Sequence, residues 1–223
     1  TSAIIFLHGL GDTSRGWSFL EQMMGGALPN TTFVFPDAPT APVSCNQGYP
    51  STSWMDIARI PLDEDEPENP DGLSENVATL HTIIQSTMKQ HNLPPEKIIV
   101  GGFSQGGAMA LLGGGSFRSE TENRGVGGVV CLSGWLSGDK KKNVANWASS
   151  AMDSTPLFLG HGEVDQVVLT KLGRIAFENI RTARKGCSGD VQSVERYYPG
   201  EGHGACDAEL RDLAAFFKAV VEK

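Results

Sequence analysis

In the stretch IIVGGFSQGGAMALL, residues 98–112, a single serine is framed as Gly102-Phe103-Ser104-Gln105-Gly106. A serine hydroxyl attacks a carbonyl carbon only when a neighbouring base takes its proton and a third group orients that base. The framing is short, so its surroundings must carry the reading: a strand leading in, a tight turn, and a helix leading out. IIV before the motif and AMALL after it supply both. Glycines two before and two after the serine let strand and helix approach without a side-chain clash. Such a turn lifts the hydroxyl above the carboxyl end of a sheet. It also puts the next backbone N–H at a helix N-terminus, where negative charge is stabilised.

In this arrangement the acid and the histidine follow the serine, in that order. Downstream of Ser104 stand only His161 and His203. His203, in PGEGHGACD, occupies a glycine-flanked loop ahead of the last helical pattern and is the expected base. His161 ends the strand-like PLFLGHG and is expected to shape a turn. The segment HGEVDQVV offers Glu163 and Asp165 as the acid; Asp165, farther into the loop, is favoured, and Asp207 is read as the N-cap of the final helix. An oxyanion needs two N–H donors. FLHGLGDT (6–13) turns on Gly9 and Gly11 around Leu10, so the backbone amides of Leu10 and Gln105 are the expected pair.

Strand and helix patterns alternate along the rest of the chain. AIIFL (3–7), TFVF (32–35), IIVGG, GGVVCLS (127–133) and PLFLGHG (156–162) read as strands, with VQSVERYYP as an edge strand. A helix opening at Thr13 or Ser14 carries Trp17, Leu20 and Met24 on one face. A second presents Val77, Leu80, Ile83, Ile84 and Met88 and ends before Pro94-Pro95. A helix over roughly 168–185 turns Leu172, Ile175, Ala176 and Ile180 inward; the last one turns Leu210, Leu213, Phe216, Phe217, Val220 and Val221. Residues 36–72, rich in proline and carrying the acidic run LDEDEPENPDG, read as an excursion over the surface. The expected fold is α/β: one domain over residues 1–223, with a mostly parallel central sheet and helices on both faces.

Composition narrows the partners. A 223-residue chain with 39% hydrophobic and 20% charged residues suits one globular domain. A net charge of −8 offers no footprint for nucleic acid. No apolar run reaches the roughly 18–20 residues needed to span a bilayer, and the chain opens on the strand-like TSAIIFL rather than on a signal peptide, so a soluble protein is expected. Cys45, Cys131, Cys187 and Cys206 show no CxxC pairing and no metal-ligand spacing. Reduced thiols in a cytoplasmic protein are the expectation, with no metal and no organic cofactor.

Taken together, FLHGLGDTSRGW, SWMD (53–56), GGFSQGGAMAL, LSGWL, LGHGEVDQVV and GHGACDAEL resemble the acyl-protein thioesterase/lysophospholipase group, carboxylesterases of the α/β-hydrolase fold, over nearly the whole chain. The resemblance implies hydrolysis of long-chain acyl thioesters on S-palmitoylated proteins, with lysophospholipase or small-molecule carboxylesterase activity as the alternative. A non-catalytic α/β-hydrolase used as a binding module is the remote alternative. It carries the nucleophile onto Ser104, the acid onto Asp165, the base onto His203 and the oxyanion amides onto Leu10 and Gln105. It also places Trp54 and Trp135 near the acyl-binding region as substrate-binding residues. Gln166 stands where the family usually has proline, and the family's N-terminal cysteine, a lipid anchor in some members, has no counterpart before Cys45. The implied partner is an S-acylated protein or another long-chain acyl ester or thioester, met by a monomer or weak homodimer with room for transient membrane contact.

Overall fold

A computed structural model describes residues 1–64, 70–120, 123–149, 152, 155–184 and 193–222. Six parallel strands form the central sheet: β1 (Ser2–Leu7), β2 (Thr31–Val34), β5 (Ile98–Phe103), β6 (Gly128–Leu132), β7 (Leu157–Gly162) and β8 (Ser193–Tyr198), in the order β2-β1-β5-β6-β7-β8. The inner strands are apolar on both faces, as a parallel sheet covered by helices requires. Alternation along each strand splits the core. Ile4 and Phe6 join a cluster with Trp17, Leu20, Met24 and the last helix, α7 (Asp207–Val221). Ala3, Ile5 and Leu7 join the cluster beneath α3 (Leu73–His91), α4 (Gln105–Met109) and α6 (Thr170–Ala183). Register runs without a slip along the centre, Phe6 beside Gly101 and Gly102 beside Cys131, so the carboxyl ends of β1, β5, β6 and β7 finish along one edge.

Several sequence expectations change in detail. The first predicted helix is two short ones, α1 (Ser14–Trp17) and α2 (Phe19–Met24), broken at Ser18, although Trp17, Leu20 and Met24 are buried as expected. Residues 36–72 do not all run over the surface. Thr40–Pro42 (β3) and Pro50–Thr52 (β4) pair antiparallel, and Trp54, Met55 and Ile57 enter the core. In the acidic run, Leu62 is buried, Asp63 and Glu64 pair with Lys171, and residues 65–69 lie outside the described residues.

Asp207 is not the N-cap of α7: Cys206 holds that position with no side-chain capping bond, and Asp207 is the first helical residue. The reason is that the backbone turns from extended to helical one residue earlier. Ile175, Leu210 and Val221 are only half-buried, whereas Phe177 and, unexpectedly, Glu209 are fully inside. β8 is an edge strand, with Val191 and Gln192 of its expected span outside the described residues, as is Cys187. A short helix, α5 (Lys140–Trp147), opens on Asp139, whose carboxylate accepts from the Lys142 N–H at 3.0 Å.

Candidate active site

The serine turn is strained by design of its neighbours. Ser104 has φ 55° and ψ −120°, a conformation side chains rarely adopt, between β5 and α4. Its N–H donates to the Leu132 carbonyl at 2.8 Å and its carbonyl accepts from Ala108 at 3.0 Å, so β6 and α4 hold the turn from both sides. The two framing glycines have no room for a side chain. A Cβ on Gly106 would overlap the Leu7 carbonyl, and one on Gly102 would overlap the Gly106 backbone.

Three elements bring three side chains together. His203, in the loop between β8 and α7, lies with Nε2 at 2.9 Å from Ser104 Oγ and Nδ1 at 2.7 Å from Asp165 Oδ2. A carboxylate on Nδ1 fixes the proton there, which leaves Nε2 bare to accept from the serine hydroxyl. Asp165, in the turn between β7 and α6, is buried, and its Oδ1 accepts the Val167 and Val168 N–H groups at 2.8 and 3.0 Å. Burial alone would raise its pKa. Donation from His161, His203 and the Val167 amide outweighs burial and holds the carboxyl well below the usual carboxylate range. Glu163 and Asp207 are exposed and take no part in this chain.

Further side chains complete the support, some in roles that the sequence reading did not give them. The Phe103 ring packs against the His203 imidazole with centroids 4.9 Å apart. His161 is fully buried behind Asp165, its Nε2–H donating to the Val168 carbonyl at 2.8 Å and leaning toward Asp165 Oδ2 at 3.3 Å. Gln105 was expected to act through its backbone N–H; its side chain, which the sequence reading left without a role, is fully bonded. Oε1 accepts the Trp54 N–H at 2.8 Å, and Nε2 donates to Ser53 Oγ at 2.9 Å and the Met55 carbonyl at 2.7 Å. A polar residue inside the otherwise apolar GGFSQGGAMAL run was the available signal, since a buried amide must find partners.

The loop after β1 is pinned similarly. His8 Nδ1–H donates to the Gly9 carbonyl at 2.7 Å while Nε2 accepts from the Ala38 N–H at 3.0 Å, and the Gly11 N–H donates to the Thr52 carbonyl at 2.9 Å. Leu10 lies between these anchors, next to Gly9, whose Cα approaches Ser104; the Gln105 N–H, at the first position of α4, has no preceding helical turn to bond.

Trp54 lies in the core behind the serine turn. It is fully buried, its indole N–H donates to the His8 carbonyl at 2.9 Å, and its own carbonyl accepts from Asn76 at 2.8 Å. With no exposed surface and every polar group used, Trp54 braces the loop beneath the site. Trp135, just past the end of β6, instead lines a cleft with Leu136, Leu172 and Ile175, whose rim carries Glu64 and Lys140. Among the described residues no group of three or more His, Cys, Asp or Glu side chains is arranged to hold a metal, and no helix is long and apolar enough to cross a membrane.

Comparison with known proteins agrees with this geometry. Residues 1–221 match the phospholipase/carboxylesterase family. Acyl-protein thioesterase 1 of Saccharomyces cerevisiae is 38% identical over 225 aligned positions, covering 96% of this chain and 91% of the relative. The protein of that name from Mycosarcoma maydis is 36% identical, covering 99% and 92%. Among solved structures, Arabidopsis thaliana SOBER1 superposes with a TM-score of 0.86 at 28% identity, covering 99% of both chains. Zea mays acyl-protein thioesterase 2 follows at 0.80 and 29%, covering 99% of this chain and 94% of that one. A six-stranded parallel sheet, a serine on a strained strand-to-helix turn and full-length kinship of this extent place the chain in the phospholipase/carboxylesterase family of α/β-hydrolases.

Proposed function

We propose that the protein is a serine hydrolase that removes long-chain acyl groups from S-acylated proteins. The observation that carries this reading is the hydrogen-bonded series Ser104–His203–Asp165 at the carboxyl edge of the sheet, in a chain whose full-length relatives are named acyl-protein thioesterases. In the mechanism, His203 Nε2 takes the Ser104 proton as Oγ attacks the acyl carbonyl. The oxyanion faces the Leu10 and Gln105 N–H groups. The thioester C–S bond breaks, and the leaving sulfur receives the proton from His203. Water, deprotonated by the same nitrogen, then frees the fatty acid and restores Ser104. A thiol with pKa of about 8.5 leaves readily, so the site needs little leaving-group assistance. The apolar side chains of Trp135, Leu136, Leu172 and Ile175, which share one narrow cleft, are the candidates to contact part of the acyl chain. The free thiols of Cys131 and Cys206 support a reducing, cytoplasmic setting.

Turnover of a palmitoyl-peptide thioester, lysophosphatidylcholine and a short-chain nitrophenyl ester, measured side by side, tests the reading. The thioester is expected to give the highest kcat/KM. Preference for lysophosphatidylcholine or the short ester would make the protein a lysophospholipase or a general carboxylesterase, and failure of a fluorophosphonate to label Ser104 would remove the enzyme reading altogether.

A further inference from the structure

Glu209 is the one charged-type side chain that the fold buries completely without a partner among the described residues. It is the third residue of α7, fully enclosed, and neither carboxyl oxygen meets a hydrogen-bond donor there. We propose that Glu209 is a positioning residue for the catalytic histidine: a neutral carboxylic acid wedged between the two segments that carry His203 and Asp165, whose proton must stay in place for those two side chains to meet. This inference rests on the active-site reading above.

The placement is specific. Glu209 lies six residues after His203, in the first turn of the helix into which the histidine loop runs. Its Oε1 lies against Gly160 of β7, where a Cβ would overlap the carboxyl oxygen, and β7 leads directly into the turn that bears Asp165. Two positions on, the same strand touches the histidine loop backbone to backbone: a Cβ on Gly162 would overlap the Glu201 and Gly202 carbonyls. The Gly160 carbonyl also accepts from Ser133, whose hydroxyl is likewise fully buried and unpartnered among the described residues. The carboxyl therefore fills the angle between the end of β7 and the start of α7, and any change in its size or hydration moves one against the other.

Charge is strongly disfavoured there. Burial, then repulsion by Glu201 of the histidine loop and by Asp212 one turn along α7, pushes the Glu209 carboxyl up to about 8. The groups on neighbouring strands give no relief. Arg196, beside Gly160 on β8, directs its guanidinium to Asp212 at 3.9 Å, and Tyr198 of β8 donates to Asp212 at 3.0 Å. His161 of β7 turns to the opposite face and bonds Val168, and Cys131 of β6 is a buried neutral thiol. The positive end of α7 offsets only part of the cost of a bare carboxylate. On ionising, a carboxylate so enclosed must draw in water, and the elements packed on it that have to give are the first turn of α7, into which the histidine loop runs, and the end of β7. Loss of the proton thus parts His203 from Asp165.

The test is the pH profile of the whole protein beside that of Glu209→Gln, which keeps the volume and cannot ionise. The wild type is expected to lose kcat/KM reversibly on the alkaline side, by about tenfold one pH unit above the Glu209 pKa. Glu209→Gln is expected to hold its neutral-pH value across the same range. Infrared spectroscopy of the wild type at pH 7 should show the carbonyl stretch of a buried carboxylic acid, absent from the variant and vanishing with the midpoint of the activity limb. A flat alkaline limb in the wild type, the same limb in Glu209→Gln, or no acid band at pH 7 overturns the proposal. Should the variant not fold, coincidence or disagreement of the wild-type infrared and activity titrations decides it. An error in the active-site reading shows separately, as hydrolysis that survives His203→Ala.

Discussion

Replacing Asp165 by Asn tests the site most sharply, because the structure dictates how the amide must sit. Oδ1 of Asp165 accepts two backbone N–H groups, from Val167 at 2.8 Å and Val168 at 3.0 Å. An Asn there keeps its carbonyl oxygen on those donors, since the opposite orientation would press an NH₂ against two N–H groups. Its NH₂ therefore faces His203 Nδ1, now 2.7 Å from a carboxylate oxygen. Nδ1 must then accept, and the imidazole proton moves to Nε2, the atom 2.9 Å from Ser104 Oγ. The base becomes a donor to the nucleophile it should deprotonate. The expected loss in kcat is about 10⁴-fold, the size known for this tautomer error in a serine-protease triad, or about 5.4 kcal/mol on the barrier. Steady-state hydrolysis of a soluble acyl thioester at pH 7 measures it, with thermal unfolding as the control for folding.

A stability signature accompanies the loss. The Asp165 carboxyl is held below the usual carboxylate range, so its contribution to stability is present above that range and is lost as pH falls through the folded-state pKa. The gap in stability between wild type and Asp165→Asn should accordingly narrow under acid. Glu163→Gln, at an exposed position, should stay within about threefold of wild type in kcat. Asp165→Asn within tenfold of wild type, or a comparable collapse in Glu163→Gln, would refute the tautomer argument.

Three further outcomes follow from the same structure. Gln105→Ala removes partners from Trp54, Ser53 and Met55 in the core and should cost about 3 kcal/mol, while retaining more activity per folded molecule than Ser104→Ala because the backbone N–H remains; urea unfolding and active-site titration separate the two. Ser104→Ala should drop kcat by several orders of magnitude, and Ser104→Gly, equally inactive, should be more stable than Ser104→Ala by about 1 kcal/mol, since glycine relieves the strain at φ 55°; calorimetry of both variants checks this. Because Glu209 holds its proton up to about pH 8 in the native state and releases it earlier when unfolded, wild-type stability relative to Glu209→Gln should decline between the usual carboxylate range and pH 8, by up to about 1.4 kcal/mol per pH unit, in unfolding titrations.

The serine turn was legible from sequence because its requirements are local. Glycines at 102 and 106, an apolar run into the serine and a helical run out of it are all the turn needs, and each is a property of neighbouring residues. The same holds for the alternation of strands and helices, and for the order in which serine, acid and histidine follow one another, since a parallel sheet returns each strand end to one edge. Helix boundaries were less secure. Whether Asp207 or Cys206 caps α7 turns on one backbone torsion that neither residue type dictates.

Only the tertiary structure decided which polar residues face one another. Glu163 and Asp165 share a strand end and a chemistry; the Val167 and Val168 amides, which exist as a pair only in the folded turn, pull Asp165 inward and leave Glu163 in solvent. Trp54 sits in a proline-rich stretch with the look of a surface loop, yet the Gln105 amide, 51 residues away in sequence, draws it into the core. Glu209 gave no sign in an amphipathic helix whose other charges face water. Its burial comes from the space left above a glycine of β7, and that space is made by packing α7 on the sheet, a contact no local pattern encodes.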